Sequence, residues 1–183
     1  MTDSRVALLR GINVGTAKAV AMADLRRVFA GLGATDVVTL LRSGNVVFSG
    51  AALTAPSIEE AVLAATGVQS SVVVLTAREF RAIADENPLS AISTGELNSA
   101  DGSKSFVTIT SEPFGSVELP DAATLAPERL ELGRSRAIYQ WMPDGSLQTR
   151  VPKSFWKQFP GHLTARNENT VGRIVAELAT RSD

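Results

Sequence analysis

Cysteine is absent from all 183 residues, and the chain has a single histidine, His162. Without a thiol, the protein can form no disulfide, no thiolate nucleophile and no cysteine-based metal site. No cluster of histidines and carboxylates stands at metal-ligand spacing either. We therefore expect neither a metal nor another cofactor.

Aromatic residues are scarce, at 5% of the chain, against 44% for all hydrophobic residues. The core must therefore consist mainly of valine, leucine, isoleucine and alanine. An excess of basic charge is also missing, since 18 lysines and arginines face 19 acidic residues. Extensive nucleic-acid binding usually needs a clear basic excess, so that function is disfavoured.

Long apolar segments are lacking as well. No run approaches the roughly 18 residues that a membrane-spanning helix needs. The N-terminal residues lead directly into a strand, without the apolar stretch and small-residue cleavage site of a secretory signal. A soluble, cytoplasmic protein with no membrane partner is the expectation.

The glycine motifs of nucleotide-binding proteins are also missing. The chain has no G-x-G-x-x-G pattern. The sequence Gly11-x-x-x-Gly15 is followed by Thr16, Ala17 and Lys18, so its lysine does not directly follow the second glycine as a P-loop requires. Nucleoside triphosphate hydrolysis is therefore not supported.

Hydrophobic periodicity in the first half predicts the element order βαββαβ. Strands are expected over residues 6–9, 36–41, 46–48 and 71–75. One helix carries Leu25 and Phe29, and another is expected to open at a Ser57…Glu60 capping box and to close at Gly67. This order is the ferredoxin-like pattern, which we assign to residues 1–89.

A third helix is expected after a Thr76…Glu79 capping box, and residues 90–103 have the composition of a linker. The remainder, 104–183, reads as βαββα followed by a last helix that starts near Thr164 and packs back over a sheet. The predicted fold class is therefore α+β: a duplicated ferredoxin-like protein with a degenerate second copy.

Two turns rich in arginine, glycine and asparagine follow the first two strands. In a βαββαβ unit these strands are parallel and lie on either side of the third, so their carboxyl ends share one edge of the sheet. The first helix also begins there with unpaired backbone N–H groups, which favour a phosphate or carboxylate. The candidate ligand-binding residues are Arg10, Gly11, Asn13 and Gly15 in the first turn, and Arg42, Ser43, Gly44 and Asn45 in the second.

Structural explanations exist for the same residues. The glycines can simply satisfy turn geometry, the asparagines can cap or brace the turns, and the arginines can be solvated. Near the C-terminus, Thr164 or Asn167 can serve as N-cap of the expected helix, and Arg166, Asn169 and Thr170 add further polar groups at its start. If that helix start lies near the first turns, Arg166 joins one cationic pocket with Arg10 and Arg42.

Several of these motifs together resemble a known family. The segments LLRGIN-V-G and SGNVVF, with TARN…NT-V before the final helix, are similar to the bacterial family named domain of unknown function 1697. The resemblance implies a duplicated ferredoxin-like α+β protein and no established activity. It implies importance for Arg10, Gly11, Asn13, Gly15, Ser43, Gly44, Asn45, Arg166, Asn167 and Thr170. The chain departs from the family pattern at residues 16–19 and at Glu168, where an aromatic residue is frequent.

The function that these residues favour is binding of a small anionic ligand at the edge of the first sheet. No reaction can be read from them. The alternative is a non-catalytic module that binds another protein or a second copy of itself through a sheet face or edge strand. Weak nucleic-acid binding is a third possibility.

Overall fold

The computed structural model describes residues 4–14, 19–90, 101–134 and 136–181. The chain divides into two compact units. The first comprises Met1–Arg81 and Arg173–Asp183, and the second comprises Ala82–Gly172. None of the helices in the described ranges has the length and apolar character that a bilayer crossing requires.

The first unit contains a four-stranded antiparallel sheet in the order β2-β3-β1-β4. Because β3 pairs antiparallel with both β1 and β2, these two outer neighbours run parallel, as the sequence predicts. The elements in chain order are β1 (Arg5–Arg10), α1 (Met22–Gly31), β2 (Ala34–Leu40), β3 (Asn45–Gly50), α2 (Ala55–Thr66) and β4 (Ser71–Thr76).

One face of this sheet packs against α1 and α2. Alternation along β1 and β3 turns Leu9 and Phe48 to that face, where they join Leu25, Phe29 and Ile58 in one buried cluster. The rings of Phe29 and Phe48 meet edge to face at 5.2 Å. The core is otherwise aliphatic, in agreement with the low aromatic content.

The capping box of α2 lies three residues earlier than predicted. Thr54, not Ser57, is the N-cap: its hydroxyl accepts from the Ser57 N–H, and the Thr54 N–H donates to Ser57 Oγ. Serine at the third helical position fills the place that the usual motif gives to glutamate, which made the prediction wrong. The Thr76…Glu79 box is confirmed, with Thr76 N–H to Glu79 Oε2 at 2.8 Å and Glu79 N–H to Thr76 Oγ1 at 3.2 Å.

The second unit contains another four-stranded antiparallel sheet, in the order β6-β7-β5-β8. Two helices cross the division between the units: α3 (Ala77–Asp85) and α6 (Glu168–Ala179). The other elements are β5 (Ser105–Thr110), α4 (Ala122–Leu125), β6 (Arg129–Leu132), β7 (Ala137–Trp141), α5 (Lys153–Trp156) and β8 (Leu163–Asn167).

The prediction for the C-terminal region was wrong in one respect. Residues 163–167 form strand β8, which pairs with β5, and the last helix starts only at Glu168. The second half is therefore a complete βαββαβ series and not a degenerate βαββα. Thr164 and Arg166 are buried while Ala165 between them is exposed, which is the alternation of a strand. With polar residues at the buried positions, hydrophobicity could not reveal this strand.

The duplicated arrangement of two mixed α+β halves is confirmed. The expected linker over 90–103 falls largely on residues 91–100, which lie outside the described ranges. The boundary between the two compact units passes through α3 and α6, so the C-terminal part of α6 belongs to the same unit as the first sheet. There the Arg181 guanidinium donates to the Asp36 carbonyl at 2.6 Å and to Ser49 Oγ at 3.3 Å.

Candidate functional site

The turns that follow β1 and β2 lie against each other at one edge of the first sheet. The Leu9 N–H donates to the Gly44 carbonyl at 2.8 Å. A Cβ placed on Gly44 would come within 2.8 Å of Ile12 Cδ1 and 2.9 Å of Leu9 Cβ. Gly44 is thus required by close packing between the turns, which are far apart in sequence.

The side chain of Asn13 holds this edge together. Its Nδ2 donates to the Arg42 carbonyl at 2.7 Å and to the Val20 carbonyl at 3.1 Å, and its Oδ1 accepts from the Val20 N–H at 2.8 Å. Val20 leads into α1 at Met22. One amide therefore joins the first turn, the second turn and the entrance of the first helix.

The side chain of Asn45 also forms hydrogen bonds with other groups of the protein. It is fully buried, and its Nδ2 donates to the Leu40 carbonyl at 2.8 Å and to Ser43 Oγ at 3.0 Å. The bond to Leu40 links the two ends of the turn between β2 and β3. The amide donors of both asparagines are therefore engaged with the protein, and the bracing role is the one that the structure gives to these two residues.

Four residues at this edge have left-handed backbone conformations. Gly11 has φ +85° and Gly44 has φ +82°, which glycine adopts without cost. Asn13 at φ +54° and Leu41 at φ +60° are non-glycine residues in the same region. Leucine is rarely found there, and such strained residues cluster at binding and catalytic sites. Nothing in the sequence marks Leu41 as unusual.

The charged side chains of the two turns are positive, whereas the first turn of α1 carries an acidic residue, Asp24. Arg10, Arg42 and the neighbouring Ser43 are exposed. Among the described residues, the Arg42 guanidinium has no hydrogen-bond or ion-pair partner, and no acidic residue occurs in either turn. Arg10 ends β1 opposite Ser71 of β4. By strand alternation it points to the sheet face opposite α1 and α2.

The remaining predicted residues belong elsewhere. Gly15 lies outside the described residues. Arg166, Asn167 and Thr170 are in the second unit, so their membership of the first-sheet site stays a prediction. Asn167 is the N-cap of α6, where its Oδ1 accepts from the Thr170 N–H at 3.0 Å and from the Thr170 hydroxyl at 2.7 Å.

Arg166 is a buried cation, a property that its sequence position did not signal. It donates to Thr164 Oγ1 at 2.9 Å and to the Ala165 carbonyl at 2.8 Å. Loss of hydration on burial lowers the pKa of Arg166 to about 10. The guanidinium remains protonated at neutral pH, so it acts as a charged donor inside the second unit.

No group of three or more metal-ligating side chains occurs among the residues that the structure describes. His162 is exposed at the turn before β8. The edge of the first sheet therefore carries two contacting turns with exposed arginine residues, whose guanidinium donors match the geometry of phosphate and carboxylate oxygens.

Asn13 provides a stability test of this edge. Replacement by glycine keeps the left-handed conformation and removes the three hydrogen bonds, so we expect a loss of about 1 kcal/mol or somewhat more. Replacement by alanine removes the same bonds and adds backbone strain of about 1 kcal/mol. Urea unfolding of the two variants should rank alanine below glycine. Equal stabilities would contradict the left-handed assignment.

The fold and this edge define a class: a two-sheet α+β protein with a basic, tightly braced turn pair. The family model described as protein of unknown function (DUF1697) matches residues 1–139, and the chain belongs to this family. The matched region contains both turns but ends before the TARN segment.

A solved structure shows the same architecture. It is described as the conserved bacterial protein SP0830 from Streptococcus pneumoniae, and it is similar with 25% sequence identity and a TM-score of 0.68. The match covers 97% of this chain and 99% of the other. No match is found among the curated proteins.

Proposed function

We propose that the protein binds a small anionic ligand, bearing a phosphate or a carboxylate, at the edge where the turns after β1 and β2 meet. The observation that carries this proposal is the Asn13 side chain, which joins the Arg42 carbonyl and the Val20 backbone. That arrangement fixes a cationic turn beside the entrance of α1 before any ligand arrives. A preformed site avoids much of the ordering cost of binding.

The charge of the edge supports an anion over a neutral or cationic ligand. Arg42 is exposed, faces no carboxylate of its own turn, and has a planar fork of donors suited to phosphate and carboxylate oxygens. The entrance of α1 adds the positive end of a helix dipole. The N-cap residue Ala21 supplies no side-chain hydrogen bond to the first turn of that helix. Arg10 is the second cation of the proposed site.

We also infer that each half has the ferredoxin-like topology. The orders β2-β3-β1-β4 and β6-β7-β5-β8 place the first and third strands of each half at the centre. In both halves the strands alternate with helices as βαββαβ. This topology supports the proposal because it brings the ends of the first two strands to one edge.

Thermal unfolding with inorganic phosphate, pyrophosphate and citrate tests the proposed site. At 100 times its dissociation constant, a bound anion adds about 2.7 kcal/mol of stability. In a protein of this size that is a rise of roughly 5–10 °C in Tm. We expect Arg42→Gln to abolish most of the rise and Arg10→Gln to reduce it. Sodium chloride at equal ionic strength serves as the blank for general salt effects.

Arg78→Gln is the matched control. Arg78 is exposed on α3, which begins directly after Thr76 of β4. Thr76 pairs with Arg5, at the opposite end of β1 from Arg10. The control removes the same charge and should keep the full rise in Tm. If all three variants lost the rise in Tm equally, the effect of the anion would be a nonspecific charge effect. If no variant lost any of the rise, the anion would bind elsewhere.

A further inference from the structure

Strand β6 forms one edge of the second sheet and pairs only with β7 among the described residues. It runs from Arg129 to Leu132. An edge strand leaves alternate backbone N–H and C=O groups facing outward, where they can pair with another strand.

The register of β6 with β7 identifies the outward-facing residues. The Gly133 N–H donates to the Ala137 carbonyl at 2.8 Å, and Glu131 and Arg129 precede Gly133 by two and four residues. Antiparallel pairs alternate between bonded and non-bonded, so Arg129 and Glu131 exchange bonds with β7. The backbone groups of Leu130, between them, and of Leu132 therefore point to the open side.

The exposed side chains of β6 are self-complementary. Arg129 and Glu131 flank Leu130, and both are exposed. Neither makes a side-chain hydrogen bond or ion pair with another described residue. If a second β6 lies antiparallel with its Leu130 opposite this Leu130, each Arg129 faces the partner's Glu131. Opposite charges placed directly across two strands are stabilising.

Apolar surface lies beside this edge. A groove of about 760 Å³ runs along β6, bordered by Leu119, Pro120, Pro127, Trp141 and Pro143. Leu119, at the border of this groove, is 43% exposed. A second copy that binds along β6 would cover part of this surface and so bury more area than the three paired residues of β6 alone.

We propose that two copies of this chain associate through antiparallel pairing of β6 with β6, about a twofold axis at Leu130. The sheet that contains β6 in one copy then joins the same sheet of the second copy, and together they form one sheet of eight strands. The interface is isologous, so every contact of Arg129 with the partner's Glu131 occurs twice. This surface belongs to the second unit and the proposed anion site to the first, and either proposal can fail without the other.

Charge exchange tests both the partner and the register. We expect sedimentation equilibrium of the full chain to show a reversible dimer. Arg129→Glu and Glu131→Arg each place like charges in both symmetric contacts, which should raise the dimer dissociation constant about tenfold or more. The double variant Arg129→Glu/Glu131→Arg restores opposite charges and should return the constant to near its original value. Lys157→Glu, an exposed charge reversal in the same unit, should have no such effect.

Each other outcome overturns the proposal. A protein that stays monomeric at all concentrations has no such interface. A dimer indifferent to the single variants uses another surface. A dimer weakened by the single variants but not recovered by the double variant has a different register or orientation. Both residues are exposed, so the variants should melt within a few degrees of the original protein, and circular dichroism checks that they remain folded.

Discussion

Replacing Gly44 by alanine is expected to lower the free energy of unfolding by about 2–4 kcal/mol. Gly44 has φ +82°, a conformation that costs an alanine about 1 kcal/mol or more. The added Cβ would also lie 2.8 Å from Ile12 Cδ1 and 2.9 Å from Leu9 Cβ. Leu9 and Ile12 are buried, so the crowding cannot be relieved at low cost.

Urea unfolding of Gly44→Ala measures this loss, and Gly31→Ala is its matched control. Gly31 is the last residue of α1, has no positive φ, and a Cβ there meets nothing within 4 Å. Because alanine is the better helix former, the control should be unchanged or up to about 1 kcal/mol more stable. If the Gly44 variant were as mild as the control, the contact between the two turns would be refuted.

Replacing Glu128 by alanine is expected to cost about 3–5 kcal/mol. Glu128 is 5% exposed, and its carboxylate accepts three hydrogen bonds in the second unit. The Thr149 hydroxyl and the Arg150 N–H each donate to it at 2.7 Å, and the Gln140 amide is the third donor. Alanine would leave these three donors without an acceptor, and it would also create a cavity between them.

Glu128→Gln separates the two causes, because it keeps the volume and one oxygen acceptor. Its loss should be smaller than that of Glu128→Ala. Glu118→Ala is the control, since Glu118 is exposed in the same unit and its backbone makes the contacts with Gln158. That variant should stay within about 0.5 kcal/mol of the original protein. A Glu128→Ala protein of similar stability would contradict the buried network.

The first half of the fold was predictable because its signals are local and agree with one another. Leu25 and Phe29 recur at helical spacing, the strands are rich in valine, and glycines mark the turns. From that order alone, topology rules predict that β1 and β2 end at the same edge. The contact between the Asn13 side chain and the Arg42 carbonyl is consistent with that prediction.

The same reasoning from local sequence patterns gave a wrong prediction for β8. Thr164, Arg166 and Asn167 are polar, and capping residues near them suggested a helix start. Asn167 does cap α6, but the residues before it pair with β5 as a strand. The pairing partner lies more than 50 residues away in sequence, so no local pattern contains it.

The sequence by itself determined the α+β class, the duplication, the position of most strands and helices, and the two turns rich in arginine and glycine. Only the tertiary structure decided what those turn residues do. Gly44 packs against Ile12, Asn45 is buried in its own turn, and Asn13 ties three elements together. A turn motif permits either bracing or ligand contact, because asparagine and glycine serve both. The choice depends on which backbone groups the fold brings within hydrogen-bonding distance, and that is a property of the folded chain.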